Sequence, residues 1–441
     1  MNPLFYHDYH PRTTVIARTW RGEMYDLTPY LYSWQRIKSL SQSQPGTFTL
    51  SLFGAKDKNG KTLADLLMPM DYIEIRASKT GKKVDGEYPI IMRGFVDTCT
   101  DSLTFGQSGG PSEPRINISG RDYTKLLIEW QVLYLWTQNT LSGKGNLASI
   151  EAQAYGLGLY YNFHLPITPE SITNFFESVM HNMVNPIIGG LRKHNYGFEL
   201  PGINYNFVFP DFPMSSLNIL SYTGSYWNLM QYIASPPFGE LFIWDDVDTP
   251  VLTSRLTPYK TVEGDNPYPS TLDLQPEGTF EDVVSYSVSR TDTNLDTYFL
   301  TYGSTTQMVG LTMPTFVDSS NGVLTQWASL YGTRPNLLDT SWIAEYDPSN
   351  PGQPNTSAWG IGDILNQWAL ATMGENQYFW NGTIQCHGSE DYRIGTYWIL
   401  KEREEMYYLA GIEDTYLCGS TGSESDSWTA TLTVERGRPV A

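Results

Sequence analysis

The run Arg115-Ile116-Asn117-Ile118-Ser119-Gly120-Arg121-Asp122-Tyr123-Thr124-Lys125-Leu126-Leu127 marks a change of pattern. Through Ser119, polar and apolar residues alternate, which is the period of a strand with one buried face. Gly120 permits a tight turn, and Asp122 can cap a helix that begins after it. From Tyr123 to Trp130 the alternation is lost, and Leu126, Leu127 and Trp130 share one helical stripe. The reading is a strand that exits into a helix, with the two leucines pinning the helix back against the strands.

Toward the N-terminus, residues 12–121 read as successive short strands. Thr47–Leu52 and Asp71–Arg76 alternate in the same way, and the turn-rich stretches Gly54–Gly60, Lys79–Gly86 and Gly106–Pro114 separate them. Several strands at that spacing predict a small barrel or sandwich. Toward the C-terminus, residues 140–235 carry helical stretches at Ile172–Val184 and Trp227–Ala234, closed by Pro236-Pro237. Strand patterns return at Leu241–Trp244, Val251–Leu256, Val283–Val288 and Tyr298–Tyr302. Helical patterns near Val323–Tyr331 and Gly362–Met373 interrupt them. Gly382–His387, Thr396–Leu400, Met406–Ile412 and Trp428–Val434 then read as strands, the last two flanking a polar hairpin loop at Gly419–Ser427. The predicted class is mainly β with helical insertions.

Of the 441 residues, 40% are hydrophobic, 14% aromatic and 17% charged, which excludes a disordered chain. The net charge of −19 is unevenly spread: residues 1–130 hold 16 basic and 14 acidic side chains, residues 131–441 hold 12 and 33. An acidic surface serves solubility and argues against wrapping nucleic acid, which needs Lys and Arg to displace counterions. Cys99, Cys386 and Cys418 form no CxxC pair and no disulfide framework, so reduced thiols and intracellular folding are expected. The segment MNPLFYHDYHPRTT has no apolar core, so no signal peptide is expected, and no apolar run reaches the roughly 18 residues of a membrane helix.

Chemistry is sparse. Gly106-Gln107-Ser108-Gly109-Gly110 matches G-x-S-x-G, but prolines and a strand follow it instead of a helix, so it reads as a loop. Asp245-Asp246-Val247-Asp248 lacks the glycine and distal glutamate of a calcium loop and reads as a solvated turn. Glu402, Glu404 and Glu405 with Lys401 and Arg403 read the same way. His7, His10, His164, His181, His194 and His387 show no metal-ligand spacing, and His387 with Glu390 and Asp391 reads as a polar loop. No phosphate-cradling glycine motif is present. The expectation is no catalytic residue, no cofactor and no metal site.

The Arg115–Leu127 exit resembles that of the first barrel in phage tail hub proteins. This family includes the myophage baseplate hub, the phage late control protein and the hub half of type VI secretion spikes. Gly239–Ile243 with Leu256–Tyr259 resembles the start of the second barrel, and Phe280–Arg290, with Asp292 and Tyr298-Phe299, the strand after it. Arg393–Gly395, Tyr407–Ile412, Trp428–Leu432 and Arg436-Gly437 complete the pattern in order. The resemblance implies two small β-barrel domains linked by a mixed helical region. The expected boundaries are 1–121 for the first barrel, 122–235 for the connecting domain and 236–441 for the second barrel, with a helical insertion at about 305–380.

It further implies a non-enzymatic homotrimer, a ring adapting the hexameric tail tube to the trimeric central spike around an open channel for DNA. The implied partners are the tail tube or distal tube-adaptor proteins, the spike and wedge proteins. Sequence-specific nucleic-acid binding and membrane insertion are not expected. The implied place is the virion tail baseplate, assembled in the host cytoplasm. The acidic remainder of the chain would suit channel walls along which DNA slides. The aromatic-rich β composition also leaves an alternative, a carbohydrate-binding or carbohydrate-cleaving tail protein.

Overall fold

The structure, a computed structural model, describes residues 9–40, 44–54, 60–104, 113–132, 176–177, 179–185, 188–189, 200–208, 224–234, 239–246, 248–256, 276–292, 297–308, 311–316, 329–339, 380–419 and 426–440. The alternating N-terminal region forms β1 (Arg12–Arg18), β2 (Met24–Asp26), β3 (Leu31–Ser39) and β4 (Thr47–Phe53). After the short helix α1 (Leu63–Leu66) come β5 (Tyr72–Ser78), β6 (Ile90–Thr104) and β7 (Glu113–Arg121), which leads into α2 (Thr124–Glu129). The middle holds β8 (Gln131–Val132), β9 (Asn204–Val208), β10 (Gly224–Ser225) and α3 (Tyr226–Ile233). The remainder forms β11 (Gly239–Trp244), β12 (Val251–Leu256), β13 (Gly278–Thr279), β14 (Val283–Ser289), β15 (Tyr298–Met308), β16 (Leu311–Phe316) and β17 (Pro335–Asp339). It ends with β18 (Trp380–His387), β19 (Tyr397–Leu400), β20 (Glu405–Leu417) and β21 (Ser427–Pro439). The protein is mainly β, as its alternation predicts.

One sheet dominates, with strand order β14-β18-β21-β20-β3-β4-β7-β6-β5-β1-β2 and β19 joining β20 to β13. It surrounds two cores. The first gathers Val15, Ala17, Trp34, Phe48, Leu50, Ile75, Ile116 and Ile118 from the N-terminal strands, together with Tyr416 and Trp428 from the far end of the chain. Trp34 stacks on Tyr416 at 5.4 Å and meets Trp428 edge-on at 5.8 Å. Its indole N–H donates to Thr13 Oγ1 at 3.0 Å, so the sheet curls until β1 faces β3. The second core is built from Phe280, Ile384, Tyr392, Trp398, Tyr407, Leu409, Leu432 and Val434. The long hairpin β20–β21 serves both cores, because thirteen-residue strands outreach a single one and bulges at Met406/Tyr408 and Leu409/Gly411 bend it.

The exit from the first core follows the sequence reading with one change. Leu126 and Leu127 are fully buried, and the Asp122 carboxylate accepts from Thr124 N–H at 2.9 Å and Gly46 N–H at 3.0 Å. Gly120, however, makes no turn. It lies within β7, where a Cβ would collide with the Phe48 ring and the Phe95 carbonyl, so close packing is what requires glycine. The hairpin β11–β12 also differs from expectation. It forms its own three-stranded sheet with β9, parallel to β12, and meets the second core through Phe242. Of Ile172–Val184, Met180–Val184 forms a π-type turn; of Val323–Tyr331, Ser329–Tyr331 is helical; Gly362–Met373 lies outside the described residues.

Candidate functional site

The two cores meet along a seam of ion pairs. On β3 the inward positions run Trp34, Arg36, Lys38: the first enters the aromatic core, and the next two carry charge into the junction. Arg36 Nε donates to Asp414 Oδ2 at 2.7 Å, its Nη2 binds the same oxygen, and its Nη1 donates to the Ile91 carbonyl at 2.8 Å. Lys38 binds Asp245, whose other oxygen accepts from Arg93 N–H at 3.2 Å, while Arg93 Nη1 donates to the Asp248 carbonyl at 2.7 Å. These side chains are almost wholly buried. At the outer end of the seam, Lys79 Nζ reaches Glu281 at 2.7 Å and Asp391 at 3.0 Å, and Arg12 reaches Asp426 at 2.9 Å.

Every cation in these bridges belongs to residues 1–130 and every carboxylate to residues 131–441. Part of the lopsided charge read in the sequence is therefore complementarity between the halves of one chain. Burial pushes the Lys38 ammonium down to about 8, against the pull of Asp246 and Asp122. Burial likewise raises the Asp414 carboxyl, and Arg36 opposes it. Asp122 is raised for the same reason and opposed by Lys38. A cleft of about 310 Å³ opens at the outer end, lined by Lys79, Glu277, Glu281, Asp391, Arg393 and Trp398. Lys79 bridges two of its carboxylates and Arg393 binds Asp246 at 2.7 Å. The arrangement clamps; it presents no nucleophile held against a base.

The acidic run Asp245–Asp248 corrects the sequence reading. Asp245 is fully buried on Lys38 and Asp246 is nearly so on Arg393, so this is an anchor and not a solvated turn. Of the later charge cluster, Lys401, Glu402 and Glu404 are exposed, as read, but Glu405 is buried between Arg403 and the Tyr407 hydroxyl. Glu390 accepts from Ser78 Oγ and Lys79 N–H, joining the seam, and His387 stacks on Tyr9 at 4.4 Å. The Gly106–Gly110 loop, His7, His164 and His194 lie outside the described residues. Among the described residues no three of His, Cys, Asp and Glu are grouped to hold a metal. Burial pushes the Cys99 thiol to about 11 and those of Cys386 and Cys418 to about 12, the opposite of a reactive cysteine.

Sequence reasoning passed over Arg36, Lys38, Arg93 and Asp414. The available signal was that Arg36 and Lys38 stand in phase with Trp34, on the face that alternation assigns to the interior.

Neither a protein-family profile nor a curated protein matches the sequence. Solved structures do resemble the fold. The 43 kDa tail protein of prophage MuSo2 from Shewanella oneidensis superposes with a TM-score of 0.51 at 12% identity, over 96% of this chain and 98% of that one. The tail protein from Neisseria meningitidis MC58 gives 0.49 at 12% identity, over 96% of both chains. The lidded Francisella PdpA-VgrG complex gives 0.42 at 11% identity, over 99% of this chain and 53% of that one. On the MuSo2 superposition, the chain has the fold of a phage tail protein, the kind of protein its sequence resembles.

Proposed function

We propose that the chain is a structural baseplate hub of a phage tail or related contractile injection system. In this reading it is a non-enzymatic homotrimer whose ring adapts the hexameric tube to the trimeric spike and leaves a channel for DNA. The observation that carries it is one sheet running unbroken across two cores, in a chain with a tail-protein fold. Two lobes locked by a buried seam behave as one rigid unit, and three such units place six lobes in a ring. Threefold and sixfold neighbours can then share one adaptor. Its place would be the virion tail.

Sedimentation of the purified chain, alone and with the tube and spike proteins of the same phage, tests this. The expected outcome is a trimer that binds both. A chain that stays monomeric with both present, and gives signal on a glycan array or turns over a bacterial polysaccharide, would favour the carbohydrate reading.

A further inference from the structure

Where the hairpin β11–β12 meets β19, β20 and β21, three arginines converge on two tyrosines. Tyr397 lies opposite Tyr408 across β19 and β20, and Glu435 lies opposite Tyr408 across β20 and β21. The two tyrosine rings are 5.1 Å apart. Glu240, opposite Arg255 in its own hairpin, accepts from the Tyr408 hydroxyl at 2.7 Å and from Arg255 Nε at 3.3 Å. Arg255 Nη2 also donates to the Gly395 carbonyl at 2.5 Å. Tyr408, Glu240 and Arg255 therefore satisfy one another.

Tyr397 has no such arrangement. It is 6% exposed, and its hydroxyl has no hydrogen-bond partner among the described residues. The charges that act on that hydroxyl are Arg438, Glu240, Arg255 and Glu435, so it points into the arginine group. Arg438 stands 5.7 Å over the Tyr397 ring and makes no ion pair among the described residues. Arg436 lies 5.4 Å over the Tyr408 ring and 4.0 Å from Glu435. Its backbone is left-handed, φ 60°, where β20 and β21 lose register, and its N–H donates to Asn381 Oδ1 at 2.8 Å. Backbone strain of this kind gathers at ligand sites.

The charges do not balance. Arg255, Arg436 and Arg438 face Glu240 and Glu435, which leaves one positive charge over. Burial pushes the Arg436 guanidinium down to about 9; Glu240 opposes this, and Arg255 and Arg438 add to it. A buried hydroxyl without an acceptor is costly as well. The unmatched charge and the unmatched donor fall at one place, and a single anion with two oxygens answers both. A dianion such as phosphate would be repelled by Glu240 and Glu435. A planar carboxylate fits a guanidinium and still offers an oxygen to the tyrosine.

We propose that Tyr397 and Arg438, backed by Arg255 and Arg436, form a binding site for one carboxylate group. The group comes from an acidic side chain of a neighbouring protein or from a free small acid. The site does not depend on the ring reading. It differs from the seam, where Arg36 and Lys38 already hold their own carboxylates.

The probes are acetate and an alanyl-glutamyl-alanine peptide with blocked ends. Binding is read at neutral pH by saturation transfer from the purified chain to the protons of each probe. The expected result is saturable acetate binding that weakens about tenfold in Tyr397→Phe and in Arg438→Gln, the effect of one charge-assisted hydrogen bond. Arg334→Gln, whose arginine pairs with Asp292 elsewhere, should leave it unchanged. A matching peptide signal assigns the site to acidic side chains, and acetate signal alone assigns it to free acids. Thermal unfolding is followed in parallel. Without acetate, Tyr397→Phe loses only an unpaired hydroxyl and should melt no lower than wild type; with acetate, wild type should melt higher of the two. The proposal is overturned by the absence of saturable acetate binding, or by binding that both variants keep. A Tyr397→Phe protein that melts well below wild type in acetate-free buffer overturns it too, because the hydroxyl would then have a partner within the chain.

Discussion

Asp414 shows how one residue carries the junction. It is fully buried and its partner Arg36 comes from a strand 378 residues away in sequence. Removing one member of a buried pair strands the other charge, so Asp414→Ala is expected to cost about 3–5 kcal/mol, read by urea unfolding. Replacing both with apolar residues of matched volume should recover most of that loss. Asp426 behaves differently with pH. Burial alone would raise it, but the Gly419 N–H, the Tyr416 hydroxyl and Arg12 together hold it below the usual carboxylate range. A depressed folded pKa contributes stability above the unfolded value and loses it as pH falls through the folded one. The stability gap between wild type and Asp426→Asn should therefore shrink as pH drops below about 4; a gap that persists undiminished contradicts the assignment. Leu126 and Leu127 were legible as buried because their helical stripe is local information. Asp245 was not. A run of acids reads as solvated until Lys38, 207 residues away, supplies the partner.

Strands were more legible than their pairing. Period-two alternation located β4, β5 and β7 within a residue or two, because each buries one face. It could not say that β12 pairs in parallel with β9, since alternation fixes which side chains turn inward and not which strand lies alongside. The β7–α2 joint can be tested directly. Gly120→Ala drives a Cβ into the Phe48 ring and the Phe95 carbonyl, and overpacking of this kind costs about 1–3 kcal/mol. An unchanged thermal midpoint would show that β7 does not pack as described. Leu126→Asp buries a carboxylate behind the first core at a cost of several kcal/mol, and no soluble folded protein is expected. Soluble, assembly-competent Leu126→Asp would contradict the placement of α2.

At the scale of the molecule, two cores share one hairpin and are fastened along a seam of buried ion pairs. The lopsided composition that read as a solubility device has a second use, matching cations in the first 130 residues to carboxylates in the rest. A seam this buried is poorly screened, so stability should change little between about 0.1 and 1 M salt. In the proposed reading this two-lobed chain closes into a threefold ring with an open channel. Single-particle electron microscopy of the purified chain, alone and with its tube and spike neighbours, measures that directly. A ring of three copies around an open lumen is the expected result. A compact particle that remains a monomer with both neighbours present would contradict it.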